Sequence, residues 1–281
     1  MTRPNLIILA IALMSASAHA ADEQSIALDT SGPRLTAQLT IDEQPSVTVI
    51  FDTGAGGSVL TAELGKMHKL PNEGTVHIGS PGGQKRLQAY LTTLPKARLG
   101  EVDITGQRAV VGDLGVPLPG ISGVMSPNLF RGSLVRFELK KARALVTAKS
   151  SATIPTAAPT PYHGDGHALP AIEIDIAGTK LNAHLDTGSG RGLSLPLEIA
   201  KQIKLKAPLL PAEPAKMVGG VRSAFLSRID GTVRIGPLSL VDPEVKFIEG
   251  FVYANVGFSI LKDVTVVLDP AEQRSWLLPA E

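Results

Sequence analysis

A short phrase occurs twice in this chain, as Val49-Ile50-Phe51-Asp52-Thr53-Gly54 and as Ala183-His184-Leu185-Asp186-Thr187-Gly188. In each copy an apolar run that reads as a buried strand ends on an aspartate. A carboxylate in such a place is costly unless it is hydrogen-bonded or put to chemical use. One such tripeptide constrains little, because loops commonly use Asp for local backbone bonding. Two of them, each followed by an apolar stretch and a helix-like segment, point to a duplicated unit that brings two aspartates together across an internal pseudo-twofold axis.

Spacing supports that reading. Asp52 to Gly123 is 71 residues (123 − 52), and so is Asp186 to Gly257 (257 − 186). Gly100 of Arg98-Leu99-Gly100 follows its aspartate by 48 residues (100 − 52), and Gly236 of Arg234-Ile235-Gly236 by 50 (236 − 186). The glycine pairs Gly82-Gly83 and Gly219-Gly220 begin 30 and 33 residues after theirs (82 − 52 and 219 − 186). Differences this small are loop adjustments within one repeated lobe, which is too long to be a solenoid unit.

Between these landmarks the pattern is that of short strands. Leu35 to Ile41 alternates apolar and polar, Asp42 to Pro45 is a turn, and the next run carries Asp52. Ser58 to Leu60 is strand-like, and residues 61–70 have helical spacing with Thr61 as N-cap. The second copy repeats the order: Ile172 to Ile176 alternates, Leu181 to Leu185 leads to Asp186, Leu193 to Leu195 is a strand, and residues 196–205 read as a helix opened by Pro196. Residues 147–167, rich in Ala, Pro, Ser and Thr and without periodicity, read as a linker between lobes at 24–146 and 168–281.

The first twenty residues stand apart. Arg3, the apolar run Leu6 to Met14 and Ala18-His19-Ala20 have the order of a secretory signal peptide cleaved after Ala20. The run is shorter than the roughly 20 residues a spanning helix needs, so an exported protein without a membrane anchor is expected, periplasmic or secreted. The chain has no cysteine, which excludes a disulfide framework, a thiol nucleophile and a cysteine metal site. With 27 basic against 26 acidic residues there is no electrostatic footprint for nucleic acid.

Each half resembles a lobe of the aspartic peptidases, most closely the small retropepsin-like lobes of bacterial exported proteins. The residues that carry the resemblance are Asp-Thr-Gly-Ala at 52–55, Asp-Thr-Gly-Ser at 186–189, the glycine-tipped hairpins, and Ile121-Ser122-Gly123 and Asn255-Val256-Gly257. In the family these last segments read apolar-apolar-Gly, so Ser122 and Asn255 are departures. The resemblance implies an all-β protein of two retropepsin-like β-barrel lobes related by a pseudo-twofold axis, with Asp52 and Asp186 as the catalytic pair. It also implies that Thr53, Gly54, Thr187 and Gly188 support the pair, that Gly82, Gly83, Gly219 and Gly220 tip flaps over an extended peptide or protein substrate, and that Gly123 and Gly257 are structural. No metal or cofactor is called for, and two lobes in one chain imply a monomer.

The implied chemistry is general acid/base hydrolysis of peptide bonds. The alternative is a peptide-binding protein that keeps the cleft without cutting. Neither flap tip carries the tyrosine of the large pepsin-like enzymes, since Tyr90 lies past the first tip. His163 and His167, spaced around glycines, read as polar linker residues, with metal binding as the alternative. His184 reads as a packed strand histidine, with tuning of Asp186 as the alternative. Ser259-Ile260-Leu261-Lys262 matches the Ser-x-x-Lys spacing of penicillin-recognising acylases by chance, since nothing else of those sites accompanies it.

Overall fold

The structure is a computed structural model that describes residues 23–79, 86–164, 168–218 and 220–280. Strand makes up 51% of it and helix 9%, so the class is all-β, with curled sheets of retropepsin-like barrel type. In the first half, Thr36–Ile41 and Val47–Phe51 form an antiparallel pair around a tight turn in which Asp42 and Glu43 both adopt positive φ. Val47–Phe51 then lies parallel to Gly123–Met125, which runs antiparallel to Val59–Thr61, itself parallel to Arg108–Gly112. Neighbours on both sides make the Asp52 strand interior, so Val49 to Phe51 are buried almost without alternation, as expected of a strand covered on both faces.

The expected helix is present as Ala62–Met67. Thr61 caps it, its hydroxyl accepting from the Leu64 N–H. Gly65 sits where a Cβ would come within 2.4 Å of a Val111 methyl, so its lack of a side chain lets the helix lie directly on the Arg108–Gly112 strand.

The second half makes its pairings in the same order. Ala171–Ile176 and Thr179–Asp186 form a hairpin turned by Ala177 and Gly178, both at positive φ. Thr179–Asp186 is parallel to Ala254–Gly257, which is antiparallel to Leu193–Pro196, itself parallel to Glu244–Ile248. The helix expected over residues 196–205 is corrected to one short 3-10 segment, Leu197–Lys201. It has no side-chain cap, and Leu205 is claimed by a bridge to Ile229. The following hairpin pairs Leu210–Met217 with Gly220–Arg228, and its register slips between Ala212 and Ala215, where Pro214 cannot donate to the ladder.

A third element joins the halves. Glu23–Asp29, Arg143–Ala148, Ser133–Glu138, Val264–Asp269, Arg274–Pro279 and Thr160–Pro161 lie side by side in that order, all antiparallel. Its seam is the pairing of Ser133–Glu138 with Val264–Asp269, with Val135 opposite Leu268 and Phe137 opposite Val266. Phe137 packs on Phe51 with ring centroids 4.9 Å apart. That contact ties the seam to the Asp52 strand through a side chain whose burial is worth roughly 1.5–3 kcal/mol.

This sheet corrects the linker. Residues 147 and 148 complete the Arg143–Ala148 strand, Thr160–Pro161 pairs with Ser275 and Arg274, and the Trp276 indole N–H donates to the Ala157 carbonyl. The stretch is thus held to the shared sheet at Thr147 and Ala148, inside it, and at Thr160–Pro161, on its edge.

Candidate active site

Asp52 follows the Val47–Phe51 strand directly, and its backbone N–H donates to the Met125 carbonyl at 2.9 Å. Asp186 is the last residue of Thr179–Asp186, opposite Gly257. Both strands end in the interior, so both carboxyl groups are delivered to one partly buried place, each against the glycine of the opposite turn.

Backbone amides complete their surroundings. Oδ1 of Asp52 accepts from the N–H of Gly54 at 2.7 Å and, from the other half, of Gly188 at 3.2 Å. Oδ1 of Asp186 accepts from the Ser189 N–H at 2.9 Å. The glycines are required by space: a Cβ on Gly188 would lie 2.4 Å from Oδ2 of Asp52, and one on Gly54 2.8 Å from Cγ of Asp186. Gly188→Ala therefore displaces the Asp52 carboxyl. If the site hydrolyses peptides, turnover falls by about a hundredfold, the cost of misplacing a reacting group by an ångström, with substrate affinity much less affected in steady-state kinetics.

Thr53 and Thr187, both fully buried, lock the two turns together. The Thr53 hydroxyl donates to the Leu185 carbonyl at 2.6 Å and accepts from the Thr187 N–H at 3.1 Å. The Thr187 hydroxyl donates to the Phe51 carbonyl at 2.7 Å and accepts from the Thr53 N–H at 3.0 Å. Every partner is in the opposite half, so the turn that carries one aspartate is held by the strand that carries the other.

Burial pushes both carboxyls above the ordinary aspartate value, and Asp186 is raised further by the charge of Asp52. Two such groups in contact cannot both ionise easily, so the pair keeps one proton where separate surface aspartates would keep none.

The later glycines divide differently from their equal spacing. Gly257 begins the short helix Phe258–Leu261 as its N-cap, and its N–H donates to the Gly192 carbonyl. The residue in the same position of the first half is Ser126, the N-cap of the 3-10 segment Pro127–Phe130, whose N–H donates to the Ser58 hydroxyl. Ser58 and Gly192 each lie six residues after their aspartates (58 − 52 and 192 − 186). The correspondence of Gly123 with Gly257 is thus corrected to Ser126 with Gly257, and Asn255 falls opposite Val124. Both glycines are nonetheless demanded by space: a Cβ on Gly257 would lie 2.0 Å from the Arg191 carbonyl oxygen, and one on Gly123 2.7 Å from that of Val59. Ser126 finds room for its side chain, whose hydroxyl donates to the Ala55 carbonyl.

Two neighbours of the pair were not read as site residues from the sequence, although Asn255 stood out as a departure. Arg34 donates from Nε to the Gly188 carbonyl at 2.9 Å, and its charge lowers the cost of ionising Asp52. The Asn255 amide donates to Oδ2 of Asp186. His184 is engaged otherwise, being buried with Nε2 2.8 Å from the His163 carbonyl and its ring 4.7 Å from that of Tyr253. Burial lowers its pKa and keeps it neutral. Among the described residues no group of three His, Asp or Glu side chains could hold a metal ion. His167 lies outside the described residues, as do Gly82, Gly83 and Gly219 of the expected flap tips, while Gly220 opens the Gly220–Arg228 strand.

Residues 37–126 match the family model described as aspartyl protease. No curated protein matches the chain. The matched segment runs from the Thr36–Ile41 strand through Asp52 to Ser126, the whole first-half frame of the site. Over that segment, about a third of its length, the chain is similar to the aspartyl proteases.

Proposed function

We propose that the protein is an exported aspartic endopeptidase, built from two like lobes, in which Asp52 and Asp186 activate water for peptide-bond hydrolysis. The observation that carries this reading is the juxtaposition of the two carboxyls between interlocked Asp-Thr-Gly turns, each carboxyl lying against the glycine of the opposite turn. The aspartyl protease segment supports peptidase chemistry in general.

One member of the pair is charged and the other protonated. The charged carboxylate takes a proton from a water as the water oxygen bonds to the scissile carbonyl carbon, and the protonated member donates to the carbonyl oxygen. Collapse of the tetrahedral intermediate breaks the C–N bond as a proton returns to the leaving amine. Backbone amides and Arg34 hold the negative charge without moving, which is where fixed dipoles act best. The hairpins Thr75–Ile78 with Leu87–Thr93 and Leu210–Met217 with Gly220–Arg228 are the elements expected to close over an extended substrate. The residues ahead of the described chain serve export as a cleaved signal peptide, and the product is a monomer, periplasmic or secreted.

The test is incubation of the mature protein with a denatured protein from acid to neutral pH, with new peptide termini counted by mass spectrometry over time. Products that accumulate with time and enzyme concentration are expected. Retention of peptide without any product at every pH would replace this reading with the non-cutting peptide-binding protein. That second reading draws on one observation, the engagement of a dyad oxygen by Asn255.

A further inference from the structure

Asn255 is the one side chain outside the pair that donates to a carboxyl oxygen of either aspartate among the described residues. It sits two residues before Gly257 on Ala254–Gly257, half-buried, at the place where the first half carries Val124 on Gly123–Met125. An amide there costs desolvation that an apolar side chain avoids, and only its hydrogen bond offsets that cost.

The oxygens of the pair are consequently unequal. Oδ1 of Asp52 accepts two backbone amides, Oδ1 of Asp186 accepts the Ser189 N–H, and Oδ2 of Asp186 accepts Asn255. Oδ2 of Asp52 accepts no backbone or side-chain N–H among the described residues. Resting on the peptidase reading, we propose that Asn255 is a positioning residue that breaks the symmetry of the pair: it holds Oδ2 of Asp186 and leaves Oδ2 of Asp52 as the oxygen that meets the catalytic water. A donor on a carboxyl oxygen favours the charged form of that group. Asn255 thereby helps set the alkaline limit of the site, the pH at which the pair loses its shared proton.

The other charged groups nearby do not bear on Oδ2 of Asp186: Arg34 bonds the Gly188 carbonyl and favours the charged form of Asp52, Arg191 is paired with Glu213, and neutral His184 faces the His163 carbonyl.

Asn255→Val, which gives the second half the residue of the first, tests the assignment. The alkaline limb of the kcat/KM profile moves up by about one pH unit, tenfold in rate on that limb, with KM changed less than about threefold. Asn255→Asp, which replaces the donor with a third carboxyl, moves the limb further the same way. In parallel, ¹³C-carboxyl NMR titration of the aspartates, assigned with Asp52→Asn and Asp186→Asn, is expected to show the Asp186 signal titrating at higher pH in Asn255→Val. An unmoved titration, or a change confined to KM or thermal stability, overturns the proposal. If the wild-type protein cuts no substrate, the peptidase reading fails by itself, and the NMR titration still decides what Asn255 does to Asp186.

Discussion

Asp52→Asn and Asp186→Asn each lower kcat/KM on an unfolded protein substrate by at least about a thousandfold. The loss is this large because the chemistry needs one charged and one protonated carboxyl in contact, and an amide can serve as neither base nor acid. The fold predicts the opposite effect on stability. Burial raises the folded-state pKa of both groups above the ordinary value of 3.8. In the window between the unfolded and folded values the native state binds more protons than the unfolded chain, so stability falls as pH rises through that window. Above it the full cost of the buried charge is present. A neutral Asn removes that cost, and both variants are expected to melt at or above the wild-type temperature at neutral pH, with a flatter dependence of Tm on pH. Calorimetry at several pH values alongside the activity assay checks both halves of the prediction. Full activity in either variant would remove the aspartate pair from the mechanism.

Thr187→Val is the second large effect, and it falls on stability as well as activity. The substitution keeps the shape of the side chain but takes the donor from the Phe51 carbonyl and the acceptor from the Thr53 N–H, both buried. Leaving two buried backbone groups unpaired costs about 2–5 kcal/mol, a fall in Tm of roughly 4–20 °C for a chain of this size. Thr53→Val does the same to the Leu185 carbonyl and the Thr187 N–H. The double variant is expected to cost less than the sum of the singles, since each hydroxyl serves the turn that carries the other. Urea unfolding of the four proteins of the cycle measures this. An additive cycle would mean that the two hydroxyls act independently.

Most of the strand framework was legible in the sequence because its signals are local. Val47–Phe51 is a run of β-branched and aromatic residues, Leu35 to Ile41 alternates, and Thr61 precedes a helical spacing that it caps. The aspartates were legible because a carboxyl at the end of a buried strand is conspicuous. What failed was correspondence over distance. The equal count of 71 residues matched Gly123 to Gly257, whereas the strand pairing and the helix start match Ser126. A glycine is a visible landmark, but the first half has a serine at the position that matters. The stretch at 147–167 looked like a linker because the segments of it held to the sheet are too short to show a periodicity. Arg34 was illegible for a related reason: it acts on a residue far away in the chain, and nothing in its own neighbourhood marks it, while Asn255 stood out only as a departure from an apolar-apolar-Gly segment, with no sign of its partner.

The sheet that joins the halves bears on how such a chain acquires its structure. Only the end of Glu23–Asp29 pairs locally, with Thr36–Ile41; Glu23 to Ala27 pair with Arg143–Ala148, and Thr160–Pro161 likewise waits for Arg274–Pro279. Most of the pairing of these early strands therefore forms only after over a hundred further residues have been made. Such non-local pairing slows folding. The first half made alone would present the Ser133–Glu138 edge unpaired, open to any strand that met it.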